Sequence, residues 1–182
     1  MDQLENQPCP MCHKNTMTLI ENEMEVPYFG KCYLFSLSCS DCSFHKADVE
    51  SVNEEREPCK IEFEVTDVKK DLSVRIVKSS HATVKIPTLR MSVEPAIASN
   101  GYITNVEGIL NRFKKIIEGE RDNAEENDVK KKAKNLLKKI WKIECGDEPV
   151  KIVIEDPSGN SAIISEKAVI SKLSVKKKNG DK

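Results

Sequence analysis

Two Cys-x-x-Cys pairs near the N-terminus constrain this chain more than any other feature. Cys9 and Cys12 form the first pair, Cys39 and Cys42 form the second, and 26 residues separate the pairs. A Cys-x-x-Cys pair in a tight turn directs two sulfurs at one point, and two such turns complete a tetrahedral zinc site. The spacing therefore predicts one structural Zn²⁺ held by these four cysteines, with no coordination position left for a substrate.

Other uses of the cysteines fit less well. The chain has seven cysteines, and no basic segment followed by an apolar one begins it, so a secreted disulfide framework is not expected. A redox pair would be followed by a βαβ pattern, whereas each pair here lies between short strand-like runs. Of the other cysteines, Cys32, Cys59 and Cys145 are expected to be small buried hydrophobic residues. Neither His13 nor His45 is expected to be a ligand.

The strand-like runs around the pairs predict a zinc ribbon over residues 1–52. Thr18–Ile20 follows the first pair and Tyr33–Leu37 precedes the second. This is the layout of hairpins that carry metal-binding turns at their tips. The long spacer between the pairs leaves room for an excursion at residues 27–30.

The rest of the chain predicts a β domain over residues 53–175, interrupted by a helical hairpin at about residues 104–146. Segments in which apolar and polar residues alternate predict antiparallel strands. They are Lys60–Thr66, Leu72–Lys78, Ala82–Ile86, Leu89–Val93, Val150–Ile154, Ala162–Ser165 and Val169–Val175. Each half has too few strands to bury a face alone, so one interrupted β domain explains the order best. Residues 176–182 are expected to be a disordered tail.

Two amphipathic helices form the predicted hairpin. A capping box of Thr104 and Glu107 begins the first helix, and Gly119 ends it. Asn123 caps the second helix, which ends at Gly146. The expected fold class is therefore α+β and mainly β, with an N-terminal zinc ribbon and a β domain that contains an inserted helical hairpin.

Charge is distributed unevenly, although the net charge is only −1. Residues 1–58 hold eleven acidic and four basic residues, whereas residues 105–145 hold eight acidic and eleven basic ones. An acidic ribbon repels a phosphate backbone, so electrostatics favour a protein partner over nucleic acid. The basic cluster on the second helix is interpreted as a solvated helix face; it consists of Lys130, Lys131, Lys132, Lys134, Lys138, Lys139 and Lys142.

The sequence contains no motif for catalysis or nucleotide binding. It has no G-x-x-x-x-G-K-[ST], G-x-G-x-x-G or G-x-S-x-G turn, and its three histidines form no H-E-x-x-H or H-x-E arrangement. No apolar run approaches the roughly 20 residues that span a bilayer. We therefore expect a cytoplasmic binding module that is not an enzyme and does not enter a membrane.

Several segments resemble, in order, the ZPR-type zinc-finger family, and together they cover nearly the whole chain. They are Cys9–Cys12, Pro27–Phe29, Ser38–Cys42, Asp71–Leu72, Val77–Ser79, Ala82–Pro87, Thr104–Gly108 and Asp156–Ser161. The chain is similar to the archaeal form with one module, whereas the eukaryotic form has two. The resemblance implies a β domain of the double-stranded β-helix type, binding of translation elongation factor 1-alpha and assistance with its folding. The alternative is a nucleic-acid-binding zinc-ribbon protein of the translation or transcription machinery.

The chain departs from the family pattern at three positions. Ser43 stands where a glycine usually follows the second pair, Val74 stands where arginine is common, and Ser80 stands where aspartate is common. Metal binding is expected to survive these changes. A partner contact at position 74 or 80 would be altered.

Five residues are candidate partner contacts. Pro27, Tyr28 and Phe29 lie on the excursion of the ribbon, and Asp156 and Asn160 lie in a turn between two predicted strands. The first three residues fit equally well as the attachment of the ribbon to the β domain. For the turn, the favoured alternative is that it only fixes the register of a hairpin.

Overall fold

The computed structural model of the chain describes residues 2–27, 29–52, 56–96 and 99–173. Within these ranges the chain forms two lobes, which we call the ribbon lobe (residues 2–52) and the sandwich lobe (residues 56–173). The strands are β1 (Asp2–Gln7), β2 (Met17–Val26), β3 (Gly30–Cys39), β4 (His45–Ser51), β5 (Cys59–Val65), β6 (Arg75–Lys78), β7 (Thr83–Ile86), β8 (Met91–Val93), β9 (Tyr102–Asn105), β10 (Val150–Asp156), β11 (Ala162–Ile163) and β12 (Val169–Lys172). The helices are α1 (Val68–Asp71), α2 (Val106–Asn123) and α3 (Asn127–Cys145), and a 3-10 turn covers Pro87–Leu89.

The ribbon lobe is an antiparallel meander in the order β1-β2-β3-β4. β2 and β3 form a long hairpin whose register runs from Met17 opposite Cys39 to Val26 opposite Gly30. One end of this hairpin carries the two Cys-x-x-Cys turns, and the other end reaches the sandwich lobe. β1 was not predicted, because five of its six residues are exposed and only its pairing with β2 makes it a strand.

The sandwich lobe contains two sheets, in the orders β12-β5-β10-β7-β8 and β11-β6-β9. β5 shows why alternation predicts this arrangement. Its Ile61, Phe63 and Val65 are buried because they share the inner face of the sheet, while the charged residues between them share the other face. β10 pairs with β5 along its whole length.

The inserted helical hairpin, α2 and α3, completes the core of the sandwich lobe. The apolar face of α2 recurs at the i, i+3, i+4, i+7 spacing of a helix and buries Val106, Ile109, Leu110, Phe113 and Ile117. α3 buries Ala133, Ile140 and Ile143. Together with both sheets these helices build one cluster of 20 buried apolar residues. The predicted fold class is confirmed.

The start of α2 differs from the prediction in a way that also shortens a strand. Asn105, not Thr104, is the N-cap, because its side chain accepts the N–H of Gly108 at 2.8 Å. The first two N–H groups of the helix donate to the carbonyls of Leu72 and Val74, both at 3.1 Å. The backbone before β6 therefore caps α2, and the strand predicted from residue 72 begins only at residue 75.

The other helix ends were predicted in part. α2 continues past Gly119 to Asn123, because a glycine in an exposed helix costs only about 1 kcal/mol and a side chain there would meet nothing within 4 Å. α3 begins after Glu126 rather than after Asn123. Gly146 ends α3 as predicted, in the left-handed conformation that glycine favours.

Smaller differences concern the remaining cysteines and the C-terminus. Cys32 is buried as predicted and Cys59 is partly buried, but Cys145 is exposed, because the last turn of α3 turns it away from the core. The predicted disordered tail, 176–182, lies outside the described residues. No helix in the described part of the chain combines the length and the apolar character needed to cross a membrane.

Candidate functional site

Two similar backbone turns bring the four cysteines together. The N–H of the first cysteine of each pair, Cys9 or Cys39, donates to the carbonyl five residues later, at 2.9 Å in both turns. The residue that follows each pair, His13 or Ser43, has a φ of 60° or 59°. This left-handed region is the one that glycine adopts at least cost, so the glycine that the resemblance leads us to expect at position 43 would fit this turn.

The four sulfurs have the geometry of a zinc site. They all lie within 4.8 Å of one another, with Cys9 to Cys42 at 3.6 Å and Cys12 to Cys39 at 3.7 Å. Sulfurs at roughly 2.3 Å from one ion, at the corners of a tetrahedron, stand about 3.8 Å apart. The structure thus brings together the four predicted ligands in a closed site that fits one structural zinc. Among the described residues, neither His13 nor His45 belongs to this group of possible ligands.

The surroundings of the sulfurs favour a bound cation. The N–H of Cys42 and the hydroxyl of Thr16, 3.2 Å from the sulfur, lower the pKa of Cys39 to about 6. The N–H of Phe44 favours the thiolate of Cys42, but desolvation and the three neighbouring sulfurs outweigh it and raise the pKa of Cys42 to about 12. Thiols this crowded resist ionising together, and a divalent cation supplies the charge that lets all four ionise.

A salt bridge and an exposed apolar side chain lie beside the centre. Lys14 of the first turn pairs with Asp41 of the second at 2.7 Å, which raises the pKa of the lysine. Met11, between the two cysteines of the first pair, is 67% exposed. The tip of the ribbon lobe therefore offers solvent an apolar group next to charged ones.

Phe29 lies in the joint between the two lobes rather than on an open surface. It is 5% exposed, and the guanidinium of Arg56 stands 4.2 Å from its ring centroid and donates to its carbonyl at 3.0 Å. The apolar cluster around it comprises Val26, Cys32, Val49 and Val77. These contacts favour the interpretation that the excursion attaches the ribbon. Pro27 is exposed, and Tyr28 lies outside the described residues.

The turn after β10 also belongs to the joint. Asp156 is fully buried and accepts hydrogen bonds from the hydroxyls of Ser79, Ser158 and Ser161 at 2.9, 2.7 and 2.6 Å. The side-chain carbonyl of Asn160 accepts the N–H of a ribbon residue, Ser51, at 3.3 Å. A buried carboxylate is out of reach of a partner, so the structure gives Asp156 an internal role in place of the predicted contact.

A further contact between the lobes was missed by the sequence reasoning. Asp48 of β4 accepts the N–H of Ser80 at 2.8 Å and also its hydroxyl. Nearby, the N–H of Gly101 donates to the carbonyl of Ala47 at 2.9 Å, and a side chain on Gly101 would collide with the carboxylate of Asp48. The sequence marked Ser80 only as a departure from the family pattern, and nothing in the sequence identified Asp48 as its partner.

Comparisons with known proteins cover both lobes. Residues 3–57 match the model of the ZPR1 zinc-finger domain, and residues 70–179 match that of the ZPR1 jelly-roll domain. An uncharacterized ZPR1-like protein of Methanocaldococcus jannaschii is 35% identical over 167 residues, 91% of this chain and 83% of that protein. One of Pyrococcus horikoshii is 37% identical, over 91% of this chain and 75% of that protein. The zinc finger chaperone zpr1 of Schizosaccharomyces pombe is 30% identical over 85% of this chain, which spans 33% of that protein.

Proposed function

The chain belongs to the ZPR1 family of zinc-finger proteins, and we propose that it is a cytoplasmic, zinc-dependent module that binds translation elongation factor 1-alpha and assists its folding. The observation that carries this proposal is the closed four-sulfur centre at the metal end of the acidic ribbon lobe, which is the end that carries the two Cys-x-x-Cys turns. A centre with four sulfur ligands has no position for a substrate, so its zinc is structural. We accordingly propose a binding role without enzymatic activity.

The metal end of the ribbon lobe has the character of a protein-binding surface. Met11 is 67% exposed, and Leu4, which pairs with Leu19 in β2, is 56% exposed. Acidic residues dominate the same lobe, and four zinc-bound thiolates add negative charge. Exposed apolar side chains within a charged rim are typical of protein interfaces, and the sign of the charge suits a partner with a basic surface.

The relatives support a role in protein folding. The fission yeast protein, of which this chain matches about a third, is called a chaperone. A rigid metal-stabilised surface suits such a role, because a partner can be bound without ordering a flexible loop first. The elongation factor as the client is the specific part of the proposal.

Nucleic-acid binding is the second candidate, and one observation favours it. The solvent-facing side of α3 carries Lys131, Lys134 and Lys138, followed one turn later by Trp141, which is 61% exposed. Lysines that contact phosphates and an aromatic ring that stacks on a base are the two elements of single-strand binding. The acidic ribbon lobe of the same molecule opposes it.

Two variants separate the candidates. The purified chain is measured by biolayer interferometry against archaeal elongation factor 1-alpha and against a single-stranded ribosomal RNA fragment at two salt concentrations. We expect zinc-dependent binding of the factor, weakened roughly tenfold by Met11→Glu and unchanged by Trp141→Ala.

The opposite pattern would reject the first candidate. It consists of RNA binding that falls steeply with salt, is lost in Trp141→Ala, and is accompanied by no binding of the factor. Circular dichroism of both variants, each at an exposed position, serves as the folding control.

A further inference from the structure

One face of the ribbon sheet carries a row of apolar side chains. Residues opposite each other in an antiparallel sheet share a face, and so do residues two apart on one strand. The register therefore places five apolar residues on one face, from β1, β2 and β3. They are Leu4, Leu19, Tyr33, Phe35 and Leu37, and we call them the outer stripe.

The outer stripe lies on the side of the sheet that faces away from the joint. The joint cluster takes its residues, such as Cys32 and Val49, from the other face of the same strands. Of the stripe, only Leu37 packs against a cluster of buried described residues, that of the zinc cysteines. Tyr33 and Phe35 lie beside each other, with ring centroids 6.0 Å apart. The solvent face of an antiparallel sheet is ordinarily polar, so an apolar row there marks a site of interaction.

Acidic residues flank the two aromatic rings on both neighbouring strands. On β2, Glu21 is opposite Phe35. Tyr33 lies between Glu23 of β2 and Glu50 of β4. The Cβ atoms of such opposite residues are roughly 4.5–5.5 Å apart. A partner side chain that contacts either ring therefore lies next to a carboxylate.

Most of these carboxylates are not neutralised within the chain. Glu23 pairs with Lys31 at 2.9 Å, whereas Glu21 and Glu50 have no ion pair among the described residues. Glu25, the next acidic residue along β2, also has no such pair, although Lys31 lies close enough to feel its charge. Three carboxylates on this face are therefore free to attract a cation.

The remaining charges on this face leave the excess of acid in place. Lys46 is opposite Leu37, at the metal end of the stripe and away from Tyr33. Asp48 of β4 is occupied by its hydrogen bonds to Ser80, so it is not counted. One free amine thus stands against three free carboxylates, and the sign of the charge suits a basic partner.

The outer stripe has the dimensions of a short helix. Tyr33 and Leu37 are four residues apart on β3, so the row is about 14 Å long at about 3.4 Å per residue. A helix rises about 1.5 Å per residue, so about nine residues cover this length. β3 pairs on both sides, with β2 and β4, so its backbone is used and recognition must be by side chains. An amphipathic helix presents such an apolar row with polar residues on either side of it.

We propose that the outer stripe binds a basic amphipathic helix of a protein client. The helix lies along β3, packs its apolar face on Tyr33 and Phe35, and places lysine or arginine side chains near Glu21 and Glu50. Apolar contact supplies affinity, and the flanking carboxylates exclude anionic partners such as nucleic acid. This inference deepens the proposed function and rests on it, because it names the kind of segment that the ribbon lobe recognises in its client.

The test measures the fluorescence anisotropy of a fluorescein-labelled peptide with the zinc-loaded chain. The peptide has about 14 residues, or about four helical turns, with leucines on one helix face and lysines elsewhere. The control peptide has the same composition in an order that spreads the leucines around the helix. Salt is held at about 0.1 M, where charges more than about 10 Å apart are largely screened. We expect the amphipathic peptide to bind at least tenfold more tightly than the control peptide.

One pair of variants tests the apolar row. Phe35→Ala should weaken binding of the amphipathic peptide roughly tenfold, because it removes a ring from the centre of the contact. Trp141→Ala, at an exposed aromatic residue of α3, is the matched control and should have no effect. Circular dichroism and zinc content show whether each variant is folded.

A second pair of variants tests the flanking charges, and it leaves the stripe itself intact. The double change Glu21→Lys and Glu50→Lys should weaken binding roughly tenfold, because each site turns an attraction into a repulsion. The double change Glu64→Lys and Glu120→Lys alters the net charge equally at exposed positions of the sandwich lobe. At this salt concentration it should change affinity by less than about twofold.

Three results would overturn the inference. The first is equal binding of the two peptides, or an equal effect of Phe35→Ala and Trp141→Ala. The second is an equal effect of the two double changes, since binding would then depend on net charge alone. The third is a dimer in sedimentation that the Glu21 and Glu50 changes convert to a monomer, since a second copy of the chain would then cover the stripe.

The same measurements separate this inference from the proposed function. If the wild-type chain binds elongation factor 1-alpha but not the amphipathic peptide, the helix site is rejected and the function stands. If it binds the peptide as expected but not the factor, the assignment of the client is rejected and the helix site stands.

Discussion

The two lobes of this chain are both built of antiparallel strands, yet different forces hold them together. In the sandwich lobe, 20 buried apolar residues form one continuous cluster. Among the described residues at the metal end of the ribbon lobe, the buried cluster consists of Cys9, Met17 and Cys39, and two of these are zinc ligands. Strand pairing alone does not suffice in the ribbon lobe, and a metal replaces the core that its four strands lack at this end.

Apolar packing and hydrogen bonds hold the two lobes together at the joint. The opposite end of the ribbon hairpin packs Phe29 and Val26 against Val77 of β6, and hydrogen bonds from Ser80 and Ser51 cross the same boundary. The ribbon lobe is thus stabilised by a metal at one end and by apolar burial at the other. Four changes test how far this division holds.

Metal removal should have the largest effect and should be confined to one lobe. Zinc supplies on the order of 10 kcal/mol to folding in small zinc units. A chelator, or Cys39→Ser, should therefore make amides of β1 and of the metal-proximal parts of β2 and β3 exchange roughly 100-fold faster or more. Hydrogen exchange read by mass spectrometry should show β5 and β10 still protected. Cys145→Ser, at an exposed cysteine, is the control, and simultaneous loss of protection in both lobes would show that the metal stabilises the whole chain.

Removal of a buried side chain from the joint should have the second-largest effect. Phe29→Ala removes a buried ring and should lower the free energy of unfolding by about 3 kcal/mol, because the cavity it leaves is bounded by both lobes. Urea unfolding should then show the ribbon lobe melting before the sandwich lobe. Leu4→Ala, an exposed position in the same lobe, should change stability by no more than about 0.5 kcal/mol. A small effect of Phe29→Ala would mean that the lobes are stabilised independently.

Acid should destabilise the two lobes by protonating different groups in each. In the sandwich lobe, ion pairs with Lys151 and Lys60 lower the pKa of Glu62 from 4.5 to about 2. Because the folded-state pKa is the lower one, these pairs stabilise the lobe fully above pH 4.5, and the contribution is lost as pH falls towards 2. Glu62→Gln should remove this part of the pH dependence in urea midpoints between those limits. The ribbon lobe should respond at higher pH, because protons compete with zinc for the thiolates; loss of both lobes at one pH would contradict this division.

A glycine after the second cysteine pair should have the smallest effect. Ser43 adopts a φ of 59°, which costs an ordinary residue roughly 1–2 kcal/mol. Ser43→Gly relieves this cost but raises the entropy of the unfolded chain, so a net gain of about 0.5 kcal/mol is expected. Thermal unfolding of the zinc-loaded chain measures it, with His13→Gly as the matched change in the other turn. Destabilisation by both changes would show that these side chains stabilise the turns.

The features that the sequence predicted are those that depend on nearby residues. The spacing within each Cys-x-x-Cys pair selects the ligands, alternation in Ile61–Val65 predicts β5, and the spacing of Val106–Ile117 predicts α2. Gly146 ended its helix as predicted, because glycine adopts the required left-handed conformation at little cost.

The features that were missed depend on residues far apart in the chain. Asn105 caps α2 together with carbonyls more than 30 residues earlier, so the local capping box pointed to the wrong residue. The hydrogen bond from Ser51 to Asn160 spans 109 residues, and that between Ser80 and Asp48 spans 32. No local pattern marks such contacts, so the sequence offered the turn at residue 156 as a candidate contact loop or, preferably, as a hairpin turn, and not as part of the joint between the lobes.

Zinc K-edge X-ray absorption of the purified chain is the direct test of the four-sulfur site at the metal end of the ribbon lobe. We predict one zinc per chain, with four sulfur ligands at roughly 2.3 Å and no nitrogen or oxygen ligand. A shell that mixes sulfur with nitrogen or oxygen, or a folded chain that holds no stoichiometric zinc, would contradict it.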